Sequence, residues 1–268
     1  MAFNDTIVRF SALMFAAAVA GSSGLASSSA ATLFDVNVYG LGGPSGGANQ
    51  TMSGAAVIGS AGDVWNKMTS SPLVDSTGAS SSVTVGLGPV TNYFADAGGT
   101  AIDSASVPLM EGYAFNNDGG NASNSGYITT LTLTGLQPST NIGLVLYAAG
   151  NAAGQGDNFT VTTGTLASSL SGPLSTTGLD RQISNGIGDA YTILNGTTDS
   201  SGIFALNLSP NAAQNASSST SDTVLNGLQV NEGAYIPLGA VPEPAPLALL
   251  GLGALGMLLL ARRRRGQA

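Results

Sequence analysis

The sequence predicts an all-β fold, a β-sandwich of roughly ten strands over residues 32–233. Apolar and polar residues alternate along that whole stretch, which is the pattern of strands buried on one face. Clusters of Gly, Asn, Ser, Asp and Pro separate the alternating runs and supply turn chemistry. No amphipathic helical stretch of 12 or more residues competes with them.

The strands follow in order. Phe34, Val36 and Val38 alternate with Asp35, Asn37 and Tyr39, and Val83, Val85 and Leu87 alternate with Thr84 and Gly86. A short helical turn is expected around Asn92–Ala97. Thr129, Leu131 and Leu133 alternate with threonines, and Leu144 and Leu146 flank Val145. Those two runs, joined across Gln137-Pro138-Ser139-Thr140, read as a β-hairpin. Phe159 and Val161, then Phe204, Leu206 and Leu208, and finally Leu228 and Val230 complete the series.

Composition narrows the function classes. Cysteine and histidine are both absent from the 268 residues. Thiolate chemistry, a disulfide framework and histidine-based general-base or metal chemistry are therefore excluded. Of the seven basic residues, only Lys67 and Arg181 lie in the body, against about a dozen acids. Such a surface cannot neutralise phosphates, which argues against nucleic-acid binding.

Both ends carry an address. At the N-terminus Arg9 precedes an apolar run, Phe10–Ala20, of 11 residues broken only by Ser11. Ser29-Ala30-Ala31 then offers a small-x-small cleavage site, so residues 1–31 read as a secretory signal peptide. The run is too short for a comfortable membrane span. At the C-terminus, a linker over 234–241 leads to Pro242-Glu243-Pro244, which the prolines hold extended. Residues 245–261 form a 17-residue apolar span, at the lower limit for crossing a bilayer. Arg262, Arg263, Arg264 and Arg265 stop it, and positive charge stays cytoplasmic, so the body faces outward.

The order Pro-Glu-Pro, short apolar helix, arginine cluster over residues 242–268 resembles the PEP-CTERM sorting signal of Gram-negative bacteria. The resemblance implies that an exosortase, an integral-membrane cysteine protease, recognises Pro242, Glu243 and Pro244 and cleaves near them. It implies an exported protein, anchored transiently in the inner membrane and then released to the cell surface or an exopolysaccharide-rich matrix. Signal peptidase and exosortase are its expected processing partners, and extracellular polysaccharide its expected neighbour. The body is similar, more loosely, to jelly-roll and galactose-binding-like sandwiches. The patterns that carry this are Asp63-Val64-Trp65-Asn66, the 129–148 hairpin and the final strand Leu225–Val230.

Candidate chemistry in the body is sparse, and no catalytic residue is assigned. Without histidine there is no Ser-His-Asp triad or Cys-His dyad. Carboxylate glycosidase chemistry stays formally open through acids such as Glu111 and Glu232, the body's two glutamates. Trp65, the single tryptophan, is the candidate sugar-stacking ring, with core packing as the alternative. Asn116, Asp118 and Asn121 gather hard oxygen donors suited to a structural calcium, although Asn-Asp-Gly is also ordinary turn chemistry. No other cofactor is expected. The leading expectation is a non-enzymatic surface protein. The alternatives are a carbohydrate-binding module and a carboxylate-based glycan-active enzyme.

Overall fold

The computed structural model describes residues 31–38, 50–51, 57–60, 62–68, 70–95, 107–110, 112–116, 127–150, 155–179, 182–211 and 222–239. The alternating runs fold as strands. In chain order these are β1 (Thr32–Asn37), β2 (Gln50–Thr51), β3 (Val64–Lys67), β4 (Thr84–Gly88) and β5 (Asn92–Ala95). After a single helical turn, α1 (Val107–Met110), come β6 (Gly112–Asn116), β7 (Thr129–Thr134), β8 (Asn141–Tyr147), β9 (Asp157–Thr163) and β10 (Thr165–Leu166). The series ends with β11 (Tyr191–Thr197), β12 (Phe204–Pro210), β13 (Thr223–Leu225) and β14 (Gly227–Glu232). The expected helical turn at Asn92 is instead β5, which pairs antiparallel with β6 from Asn92–Phe115 to Ala95–Gly112.

Three sheets build two layers. One is a seven-stranded sheet in the order β10-β11-β8-β14-β1-β3-β2. Opposite it lie a four-stranded sheet, β4-β7-β12-β9, and a three-stranded sheet, β13-β6-β5. The last strand, β14, sits at the middle of the large sheet between β1 and β8, so the two ends of the described body are joined by pairing. The main core fills the gap between layers. Phe34, Val36, Leu144, Leu146, Leu228 and Val230 meet Leu131, Leu133, Phe159, Phe204, Leu206 and Leu208 there. These are the alternating apolar residues of the sequence, and β7 shows the pattern cleanly, with every second residue buried.

The predicted hairpin does not form. β7 belongs to the four-stranded sheet and β8 to the seven-stranded one, so the 135–140 connection crosses between layers. It is stitched to the turn after β11 rather than closed on itself. Leu136 N–H donates to the Gly202 carbonyl (3.2 Å), Ser139 N–H donates to the Asp199 carbonyl (2.9 Å), and Thr198 Oγ1 donates to the Gln137 carbonyl (2.7 Å). Gly135 starts the crossing at φ +76°, and a Cβ there would lie 2.2 Å from the Ser82 carbonyl oxygen, so glycine is required twice over.

The large sheet is buried on both faces. Its outer side carries a second core of Trp65, Val145, Tyr147, Tyr191 and Ile193, covered by Val57, Leu109, Met110, Ile183 and Ile236. β11 is buried at six successive positions and β8 at six of seven. Strands packed on both sides have no polar face and lose the period-two signature.

Among the described residues no helix is long and apolar enough to cross a membrane. The signal peptide (its last residue, Ala31, excepted), the 245–261 span and Arg262–Arg265 lie outside the described residues.

Candidate functional site

The chemistry of this body is concentrated on the outer face of the seven-stranded sheet, where polar side chains are buried among the second core. β1, β14 and β8 run side by side, with Asp35 opposite Gln229 and Gln229 opposite Val145. Gln229 is fully buried and organises the centre. Its Nε2 donates to Asp35 Oδ1 (2.6 Å) and to the Ile58 carbonyl (2.8 Å). Its Oε1 accepts from the Val57 and Ile58 amides (3.1 and 3.2 Å) and from the Tyr147 hydroxyl (2.7 Å). A single amide thus ties three strands to the 57–60 segment that covers them.

Asp35 is the anomalous member. It is 0% exposed, and its Oδ2 has no hydrogen-bond partner among the described residues. Burial pushes its carboxyl up to about 7, with Asp63 nearby adding to the rise and the Gln229 bond opposing it. Burial likewise holds the Tyr147 phenol well above its ordinary value; the bond from the Val57 amide opposes this, and Asp35 and Tyr191 add to the rise. Tyr147 and Tyr191 pack as tilted rings with centroids 5.9 Å apart.

One strand further out, the same face receives the end of the described body. Ile236, 2% exposed, is seated on β8 and β11. Asn195 of β11 grips its backbone twice: Oδ1 accepts from the Ile236 amide (2.8 Å) and Nδ2 donates to the Ile236 carbonyl (2.9 Å). The same Nδ2 also donates to the Leu170 carbonyl (2.6 Å). Gly143 of β8 makes the space, since a Cβ there would lie 2.6 Å from Ile236 Cγ1 and 2.9 Å from its amide nitrogen.

A second buried acid lies at the edge of the other layer. Asp157 of β9 is fully buried, and its two oxygens both receive the Val224 amide (3.2 and 3.1 Å). Burial holds its carboxyl well above the usual range, the Val224 bond opposes this, and the charge of Asp222 adds to it. Asp222 in turn accepts from Gln155 Nε2 (3.1 Å).

The residues singled out from sequence fall in different places. Trp65, on β3, is 1% exposed within the second core, so its ring is a packing element with no open face. Asn116 is buried on β6, where its Oδ1 accepts from the Thr91 hydroxyl (2.9 Å). Asp118 and Asn121 lie outside the described residues, as does Glu111. Glu232 accepts from the Gln137 amide and so anchors the crossing between layers. Among the described residues no three His, Cys, Asp or Glu side chains are grouped to hold a metal. Pro242, Glu243 and Pro244 lie beyond Gly239, outside the described residues. Gln229 and Asn195 escaped the sequence reading. Their signal was a lone amide inside an apolar strand, Leu228-Gln229-Val230 and Ile193-Leu194-Asn195.

These features define an all-β body whose chain leaves from a fixed point toward a C-terminal address. That address is recognisable: residues 240–265 match the PEP-CTERM protein-sorting motif. The chain carries this motif, which marks it for exosortase processing and a cell-surface or extracellular fate in bacteria. No curated protein matches it in sequence. Among solved structures it is similar to the plant receptor-like kinase ANX2, at 15% identity over 75% of this chain and 48% of that one, TM-score 0.42. It is also similar to the plant receptor-like kinase FER, at 14% identity over 76% and 42%, TM-score 0.37. A third is the plant peptide RALF23 in complex with FER and LLG2, at 12% identity over 76% and 40%, TM-score 0.35. The chain spans under half the length of each.

Proposed function

We propose that this is a non-enzymatic structural or adhesive protein of a Gram-negative cell surface or exopolysaccharide matrix. It is exported with loss of residues 1–31. Residues 245–261 hold it briefly in the inner membrane until an exosortase acts at Pro242-Glu243-Pro244. The sorting motif at 240–265 is the observation that carries this reading. The architecture supports it. Buried amides cross-tie the strands to their covering segments, as suits a rigid scaffold. The successive crossings β7 to β8, β8 to β9 and β11 to β12 between layers support a jelly-roll-like class. The burial of Trp65 favours a scaffold over a sugar module whose ligand stacks on that ring.

Mass spectrometry of the extracellular protein tests the sorting. The expected mature chain starts near Ala31 or Thr32 and lacks the apolar span and Arg262–Arg265. A full-length chain that stays in the membrane beside an active exosortase overturns the reading. A glycan array on the released protein tests the rest. Sub-millimolar binding of the released protein to any glycan would replace the scaffold with a carbohydrate module, and polysaccharide turnover lost on acid substitution would replace it with an enzyme.

A further inference from the structure

The exit point of the tail coincides with an unusual surface. Residues 32–239 carry thirteen acids against Lys67 and Arg181, so the body is strongly anionic. Yet the segments Thr165–Leu179 and Gly233–Gly239 contain no charged residue. Leu170 and Leu238 stand out of them, 47% and 42% exposed. The two segments are held together, because Asn195 Nδ2 donates to the carbonyls of both Leu170 and Ile236. Tyr235, half-buried, and exposed Pro237 flank the same exit.

The seat on Gly143 and Asn195 also fixes the tether. With Ile236 locked, only residues 240–244 separate the folded body from the apolar span. Five residues and their two junctions reach about 20 Å at full extension. About 6 Å of that is taken up by the headgroup layer. A body of some 200 residues has a radius of gyration of about 16 Å. It cannot stand off by its own width, so the face around Gly239 is the one brought to the membrane. The two segments at this exit carry no charge of their own, Asp189 meeting the first only at its far end, at Thr177 and Leu179, and they offer leucine and tyrosine side chains suited to the interface.

We infer that the face bearing Leu170 and Leu238 rests on the outer surface of the lipid bilayer while the sorting tail is inserted. Ile236 in its seat sets that pose. The inference rests on reading 245–261 as a membrane span.

The chain has no cysteine, so single-cysteine probes report unambiguously. Full-length Leu170→Cys, Leu238→Cys, Thr160→Cys and Leu255→Cys variants, each carrying an environment-sensitive fluorophore, are reconstituted into phosphatidylcholine vesicles with and without brominated acyl chains. Thr160 is exposed on β9, in the layer away from the seat. Expected is a blue shift and loss of emission with brominated lipid at 255, a smaller loss at 170 and 238, and none at 160. Quenching at 255 with none at 170 and 238 leaves the span reading intact and overturns the contact. Equal quenching at 160, 170 and 238 also overturns it, since the body then has no preferred face. No quenching at 255 overturns the span reading itself, and the contact with it.

Discussion

Raising the pH from about 4 to about 8 should destabilise this fold, and Asp35 sets much of the slope. In the unfolded chain its carboxyl releases its proton near 3.8, whereas in the folded body burial holds it to about 7. Between those values the folded state binds more protons than the unfolded state, so unfolding becomes easier as pH rises. Below 3.8 both states are protonated and Asp35 imposes no slope; above 7 its full penalty is present. About three pH units at 1.36 kcal/mol each give about 4 kcal/mol. That is a large share of the ~5–15 kcal/mol by which ordinary domains are stable. Asp157, raised by its own burial, adds a slope of the same sign. Asp75 is lightly desolvated, but its bonds from Thr77 and Ala79 outweigh that and hold it below its ordinary value, so its contribution is lost only on acidification below about pH 4.

Asp35→Asn isolates the effect. The amide keeps an oxygen for Gln229 Nε2 and cannot ionise. Buried Trp65, the single tryptophan, reports urea unfolding by its fluorescence. The variant should be more stable than the parent at about pH 8, should gain little at about pH 4, and should show a shallower pH slope. Adding Asp157→Asn should flatten the remainder. A parent whose stability is level or rising across this window would refute the argument. So would an Asp35→Asn variant with the parent's slope.

Three further outcomes follow from the packing. Ile236→Ala should cost about 2–5 kcal/mol, and Gly143→Ala, which forces Ile236 off its seat, should cost a similar amount. The double variant should cost little more than either alone in denaturant titrations, because both remove one interaction. Gln229→Leu orphans Asp35 Oδ1 and both backbone groups of Ile58, at about 1 kcal/mol or more each, and hydrogen exchange at the Val57 and Ile58 amides should accelerate with it. Trp65→Ala should lower unfolding free energy by about 3–5 kcal/mol, as expected of a core ring.

The strands legible in the sequence are those whose alternate residues are polar. In β7, β9 and β12 those polar residues are partly exposed, whereas in β1 and β14 Asp35, Asn37 and Gln229 mark the same alternation although they are buried. β11 was invisible, since Tyr191-Thr192-Ile193-Leu194-Asn195-Gly196 is buried throughout and has no face to mark. The short β2, β10 and β13, of two or three residues, carry too few positions for a period to show. β5 was mistaken for a helical turn because Asn92-Tyr93-Phe94-Ala95 presents no alternation of its own; its register comes from β6.

The address at the end of the chain needed no fold. Pro242-Glu243-Pro244, the apolar run and the arginines are read in linear order, so sequence alone determined the sorting motif at 240–265. Sequence alone also determined the all-β class, because period-two burial is a local property of each strand. Partner choice is not local. Which sheet β8 joins, and hence the absence of the 129–148 hairpin, depends on β14 and β11 arriving from later in the chain. The unpaired oxygen of Asp35, the five bonds of Gln229 and the seat of Ile236 between Gly143 and Asn195 likewise exist only once distant strands are adjacent. The tail states where the protein goes; the seat of Ile236, where the described body ends, is decided by packing across the outer face of the large sheet.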